Sequence, residues 1–150
     1  LVDSAPGELL ERCPADGEWS AAECLNHLLV TERYVFGERL HAILESRDMP
    51  AFDPEAPREP EPETTPRELV TALAAARARN LEVLTGLKTG DLERASRHPL
   101  YGMVPLHVIL STWAAHDLQH TVQAEEAMMQ ALLPGTGPFR FRFADHEVGG

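Results

Sequence analysis

The sequence predicts an all-α protein: an up-and-down four-helix bundle with a long Pro-rich crossover, its first helix largely missing from this sequence. Three observations predict it. Apolar residues recur with a 3.6-residue period in three long segments. Two of these segments open on a capping box, Ser20-x-x-Glu23 and Thr65-x-x-Glu68. Between those two helices lies RDMPAFDPEAPREPEPETT, which has no periodicity and many prolines and glutamates. It reads as an extended, partly polyproline-like connection across one end of a bundle.

In chain order, residues 1–4 read as the tail of a longer first helix, and residues 8–12 as a short helical patch followed by a Pro-Ala-Asp-Gly turn. Ser20 caps a helix expected to reach about Ser46. Its buried side carries Cys24, Leu25, Leu28, Thr31, Val35 and Ile43, with His27 on the edge of the same face. The second long helix starts at Thr65-Pro66, proline being suited to the first helical position, and ends near residues 88–90. On it, Arg77 and Arg79 read as solvated. The alternative pairs one of them with Asp117 or Glu32 inside the bundle. Asp91 caps a short turn, residues 97–105 form a tight loop, and Pro105 opens the final helix, which Pro134-Gly135 stops. No paired strands are expected. The bundle domain is residues 1–133, and residues 134–150 form a C-terminal tail. There, Phe139, Phe141 and Phe143 alternate with Arg140 and Arg142 in a strand-like period that would lie on the bundle or on a second subunit.

The chain has 150 residues, 43% of them hydrophobic, enough for one sizeable core. The formal net charge of −11, with no basic stripe, excludes a nucleic-acid partner. No apolar run approaches the roughly 18–20 residues of a membrane span, and no leader is recognisable. Cys13 and Cys24 lack CxxC spacing and do not make a disulfide framework, so a reduced, cytoplasmic protein is expected.

The chemistry concentrates in the final helix, whose apolar stripe includes Leu106, Ile109, Leu110, Trp113, Ala124, Ala127, Met128 and Ala131. His116 and His120 interrupt it. Residues four apart share a helical face, so two imidazoles there can direct ring nitrogens at one ion. Left unpaired in a bundle, each would lose hydrogen bonds to water without replacement. His27 can supply a third donor, because neighbouring helix axes lie only about 8–10 Å apart. The bland alternative is three core rings satisfied by neighbours or water. Asp117 points away from the pair and reads as an ion-pair partner or a support behind a ligand. Trp113 and Gln123 would line a pocket around the site, although packing suits Trp113 better. Cys24 lies within reach of His27 as a fourth ligand, but small buried packing suits it better. HDLQH is not a zinc-protease HExxH, since no glutamate base lies between the histidines. Glu38-x-x-His41 and Asp117-x-x-His120 only faintly match a di-iron bundle, which needs two further inward carboxylates, with Glu82 and Glu32 the candidates. His98 and His107 read as turn and surface residues, and His146 belongs to the tail.

GEWSAAECLNHLLVTE, a long middle, and then RHPLYGMVPLHVILSTWAAHDLQHTVQ together resemble the DinB-like (YfiT-like) superfamily of metal-dependent four-helix-bundle proteins. The resemblance covers about residues 5 to 133. It rests on Trp19-Ser20 ahead of the first histidine, the His98-Pro99-x-x-Gly102 turn and His116-Asp117-x-x-His120. It implies that His27, His116 and His120 bind a divalent metal, zinc or nickel, and that the protein is a homodimer. Relatives in that superfamily include bacillithiol S-transferases and mycothiol-dependent maleylpyruvate isomerase. The expected function is therefore a metal-dependent enzyme that activates a low-molecular-weight thiol or water, for S-transfer to a small-molecule substrate or for hydrolysis. A non-catalytic metal- or small-molecule-binding bundle is the alternative. The chain departs from the superfamily in lacking most of helix one and in carrying the Phe/Arg tail.

Overall fold

A computed structural model describes residues 5–53 and 65–146. Helix α1 (Gly7–Glu11) is a single short piece that buries Leu10. Helix α2 (Ala21–Thr31) runs through a π turn (Glu32–Phe36) into α3 (Gly37–Leu44), as one rod. After the crossover come α4 (Pro66–Thr85), a 3₁₀ turn (Thr89–Glu93), strands β1 (Ala95–His98) and β2 (Gly102–Pro105), and α5 (Leu106–Leu132). The all-α expectation holds for the bulk of the chain. The expected tail of a first helix at residues 1–4, and residues 54–64 of the crossover, lie outside the described residues.

Both capping boxes form. Glu23 N donates to Ser20 Oγ at 3.2 Å, while Ser20 N donates to Glu23 Oε2 at 2.7 Å. Glu68 N donates to Thr65 Oγ1 at 3.3 Å, and Thr65 N to Glu68 Oε2 at 2.9 Å. Each box satisfies amide donors that a helix start leaves without partners. Helix α4 ends at Thr85, a few residues before the expected stop, because Gly86 and Leu87 turn back onto the carbonyls of Val83 and Leu84.

Two expectations fail. Residues 97–105 were expected as a plain loop, but β1 and β2 pair antiparallel with Ala95 opposite Pro105 and His98 opposite Gly102. Four-residue strands carry too little alternation to register as a period, and Gly102, at φ 73°, accommodates the return. The alternating phenylalanines and arginines do not form a strand. Residues Leu133–His146 coil into 3₁₀ turns, with Phe139 and Phe141 exposed. Among the described residues the tail contacts α5 and pairs with neither strand of the hairpin, so its alternation has no ladder to support it.

Helix α2 packs on both α4 and α5, so it is the central element that brings their side chains together. One cluster of the core gathers Val35, Phe36, Leu40, Ile43, Leu106, Ile109 and Trp113; a second joins Leu29 to Leu69 and Ala76. In the π turn, Gly37 N donates to the Glu32 carbonyl, five residues back. The extra residue shifts the following helical face by about one position, a device frequent at functional sites. Gly37 is required there: a Cβ would lie 2.9 Å from the Glu32 oxygen and 3.2 Å from Asn80 on α4. Gly37→Ala should therefore cost about 1–2 kcal/mol net, overpacking outweighing alanine's better helix propensity. The check is a lower urea midpoint with an unchanged slope.

Candidate metal centre

The capped start of α2 places His27 against the middle of α5, where His116 and His120 share a face. One ring nitrogen from each of the three lies within 4.8 Å of the others. His27 Nε2 and His116 Nε2 stand 3.1 Å apart. Ring centroids are 4.4 Å apart for His27 and His120, and 4.5 Å for His116 and His120. Two donors on a tetrahedral zinc, at bonds of about 2.0–2.1 Å, are separated by roughly 3.4 Å, close to the 3.1 Å between His27 and His116.

The protonation states fit the same reading. Burial, and then the charges of His120 and His116, hold His27 down at about 4. Burial and His120 also lower His116, against the opposing pull of Asp117. Both rings are therefore neutral at neutral pH, the form that ligates a metal. His120 Nδ1 sits 2.9 Å from Gln123 Oε1, an acceptor, so Nδ1 is the donating nitrogen and Nε2 is the one left for an ion. His116 Nδ1 is buried and lacks a hydrogen-bond partner, with Asp117 Oδ1 at 4.0 Å. Three imidazoles, one of them oriented by a neighbour's amide, are a donor set that suits a borderline-soft divalent ion.

Neutral histidines have a stability consequence in the metal-free protein. The unfolded chain protonates them near 6.5, whereas folded His27 stays neutral down to about 4. The unfolded state therefore binds more protons in that window, and stability falls as pH drops from about 6.5 towards 4. Above the window this contribution is flat. The urea midpoint of metal-free protein should be lower at about pH 5 than at about pH 7.5, and His27→Gln should flatten the difference.

Asp117 lies behind His116 and does not join the ligand cluster. Its Oδ2 accepts from Arg77 Nη2 at 2.6 Å. Arg77 also donates through Nε and Nη2 to Glu32, which is 1% exposed. Glu32 further accepts from Asn80 Nδ2 at 2.8 Å and Trp113 Nε1 at 3.0 Å. One cation thus serves both carboxylates that the sequence offered as alternatives, while Arg79 is exposed. Burial works against the charge of Arg77, but its bonds to Glu32 and Asp117 outweigh this and raise its pKa above the ordinary arginine value.

Trp113 is buried, stacked on Phe36 at 5.2 Å, and occupied by Glu32; it is packing and network together. Cys24 is fully buried, and burial pushes its thiol up to about 11, so it stays protonated and lies outside the ligand cluster. Glu82 and Glu38 are exposed, and Glu38 faces Arg47, so no di-iron carboxylate set forms among the described residues. His107 is exposed as expected. His98, in the hairpin, is buried rather than a solvated turn residue.

Two contributors were not among the expected site residues. Trp19 stacks over His120 at 5.7 Å and tilts against His27 at 5.0 Å while remaining 37% exposed, so it roofs the cluster. Its position directly before the Ser20 cap was the available signal. Phe36 meets His116 edge-on at 5.2 Å, and only the π turn places it there.

A sequence-family model described as the DinB superfamily matches residues 1–124, spanning all three histidines. The chain belongs to the DinB superfamily. None of the curated proteins matches it. In this DinB-superfamily chain the three-histidine cluster is compatible with a metal site, and no described helix is long and apolar enough to cross a membrane.

Proposed function

We propose that the protein is a divalent-metal-dependent enzyme acting on a small-molecule substrate, with a low-molecular-weight thiol or water as the nucleophile. The observation that carries this reading is a cluster of three histidines from two helices without a fourth protein donor among the described residues. Structural zinc sites are closed by four protein ligands, whereas catalytic ones keep a position open. His27, His116 and His120 would hold the ion, zinc or nickel. When bound, the cation supplies Lewis acidity, favouring the thiolate of a thiol or acidifying water.

The chain's own residues do the rest. Gln123 orients His120 through Nδ1, and Asp117, held by Arg77, is positioned to take up the Nδ1 proton of His116 in a hydrogen bond. The Trp19 indole covers one side, limiting water and offering a flat apolar surface to a substrate. In S-transfer the thiol proton passes to solvent, an S–C bond forms, and the leaving group departs with its electron pair. In hydrolysis water takes the place of the thiol. We place the enzyme in the cytoplasm as a homodimer, with the bundle, residues 1–133, as its domain. The negative charge disfavours nucleic acid.

One observation favours the non-catalytic reading: the bond between His27 and His116 lets two of the rings satisfy each other without metal. The test is to load the protein with zinc or nickel and assay bacillithiol, mycothiol and glutathione against a model electrophile, with an activated ester as the hydrolysis arm. Metal-dependent turnover in either arm supports the enzyme. Tight metal binding with no turnover in any arm supports the binding module.

A further inference from the structure

A second polar cluster lies at the other end of the α2–α3 rod. Arg39 is twelve residues beyond His27, about 18 Å along a helix. Strand β1 runs back along α3: Arg94 donates to the Leu44 carbonyl and Ser96 Oγ to that of Ala42 at 3.4 Å. Continued in the same direction, the strand carries His98 towards Arg39, near enough for the arginine's charge to act on the ring. His98 is 7% exposed and stacks on Tyr101, whose ring is 4.8 Å away and largely exposed.

The guanidinium of Arg39 is partly buried, its Nε has no hydrogen-bond partner, and no carboxylate pairs with it among the described residues. This is notable in a chain of net charge −11. The acids nearest on its helix are taken, because Arg47 pairs with Glu38 at 3.7 Å and with Glu45 at 2.6 Å. A partly desolvated cation without a counterion costs stability unless a ligand supplies the charge.

The donors around it agree. His98 Nδ1 accepts the Leu100 amide at 3.1 Å, so the ring proton resides on Nε2, a donor. Burial, and next the Arg39 charge, keep this ring below its ordinary pKa, so it adds a neutral donor and not a second cation. Tyr101 adds a hydroxyl. Leu100 and Met103, on the same hairpin, are exposed apolar side chains beside these donors.

We propose that Arg39, His98 and Tyr101 form a binding site for the oxyanion group of a small ligand, a carboxylate or a phosphate, remote from the three-histidine centre. Arginine's planar fork matches either group bidentately. The site stands independently of the proposed enzymatic activity.

The test is an NMR titration of the metal-free full chain with benzoate and, separately, inorganic phosphate at low ionic strength. The readouts are the Arg39 side-chain resonance and the Leu100 and Tyr101 amides. Saturable shifts are expected with at least one probe, and the one that binds more tightly identifies the class of oxyanion. Arg39→Gln should weaken binding about tenfold or more, as loss of charged hydrogen bonds predicts. Tyr101→Phe, at an exposed ring, should weaken it by a smaller factor without risk to the fold, and Arg79→Gln, at an exposed position of α4, should leave it unchanged. Non-saturating shifts with both probes, or equal affinity in Arg39→Gln and the parent, would overturn the proposal.

Discussion

His116→Ala is expected to abolish stoichiometric metal binding at neutral pH while leaving the far-ultraviolet helical signal nearly intact. His116 is the hub of the cluster: its Nε2 is 3.1 Å from that of His27, and its ring is 4.5 Å from that of His120. Removing it leaves two imidazoles, too few to hold an ion against competing water. Affinity should fall by well over the roughly 10–100-fold typical for changes to groups that merely support a ligand. Helix α5 tolerates the change because alanine is the best helix former and the ring is partly exposed. Elemental analysis after zinc loading and dialysis is the measurement. Equal metal content in variant and parent would remove His116 from the site. Gln123→Leu, which frees the tautomer of His120, should give the smaller loss of that 10–100-fold range.

Glu32→Ala produces the largest expected loss of stability. The carboxylate is 1% exposed and accepts from Arg77, Asn80 and Trp113 at once. Without it the indole N–H and the amide of Asn80 are buried donors lacking an acceptor, and Arg77 keeps only Asp117. Unsatisfied buried groups cost about 1–3 kcal/mol each, and breaking a buried pair about 3–5. Because Arg77 is a third exposed and retains one carboxylate, the low end applies, about 3 kcal/mol. For a domain of this size that lowers Tm by about 6–12 °C. Arg79→Ala, at an exposed position of the same helix, should stay within about 0.5 kcal/mol. Thermal melts of the two variants side by side make the comparison. A Glu32→Ala melt matching that of Arg79→Ala would show that the network contributes nothing net.

Much of the architecture was readable from local rules. Ser20 with Glu23 and Thr65 with Glu68 announced two helix starts, since a capping box satisfies backbone donors within four residues. His116 and His120 announced a shared face, because helical period alone places residues four apart side by side. The role of Arg77 was open in the sequence. Whether an arginine is solvated or clamped between Glu32 and Asp117 depends on how α2, α4 and α5 approach one another. The hairpin at residues 95–105 went unread because each strand gains its hydrogen bonds only from the other. The phenylalanine–arginine tail misled for the complementary reason: alternation marks a strand only where the segment pairs with another, and among the described residues this one does not.

By itself the sequence determined the helices, their capped starts and the three imidazoles, because those follow from periodicity, side-chain caps and residue identity along a short stretch of chain. Only the tertiary structure decided that His27 meets His116, that a π turn brings Phe36 beneath it, that Trp19 roofs the cluster, and that Arg39 is left beside His98 without a counterion. Each of these joins residues far apart in the chain, and which of them meet is set by helix packing, where a shift of one residue turns a side chain by about 100° and exchanges one partner for another.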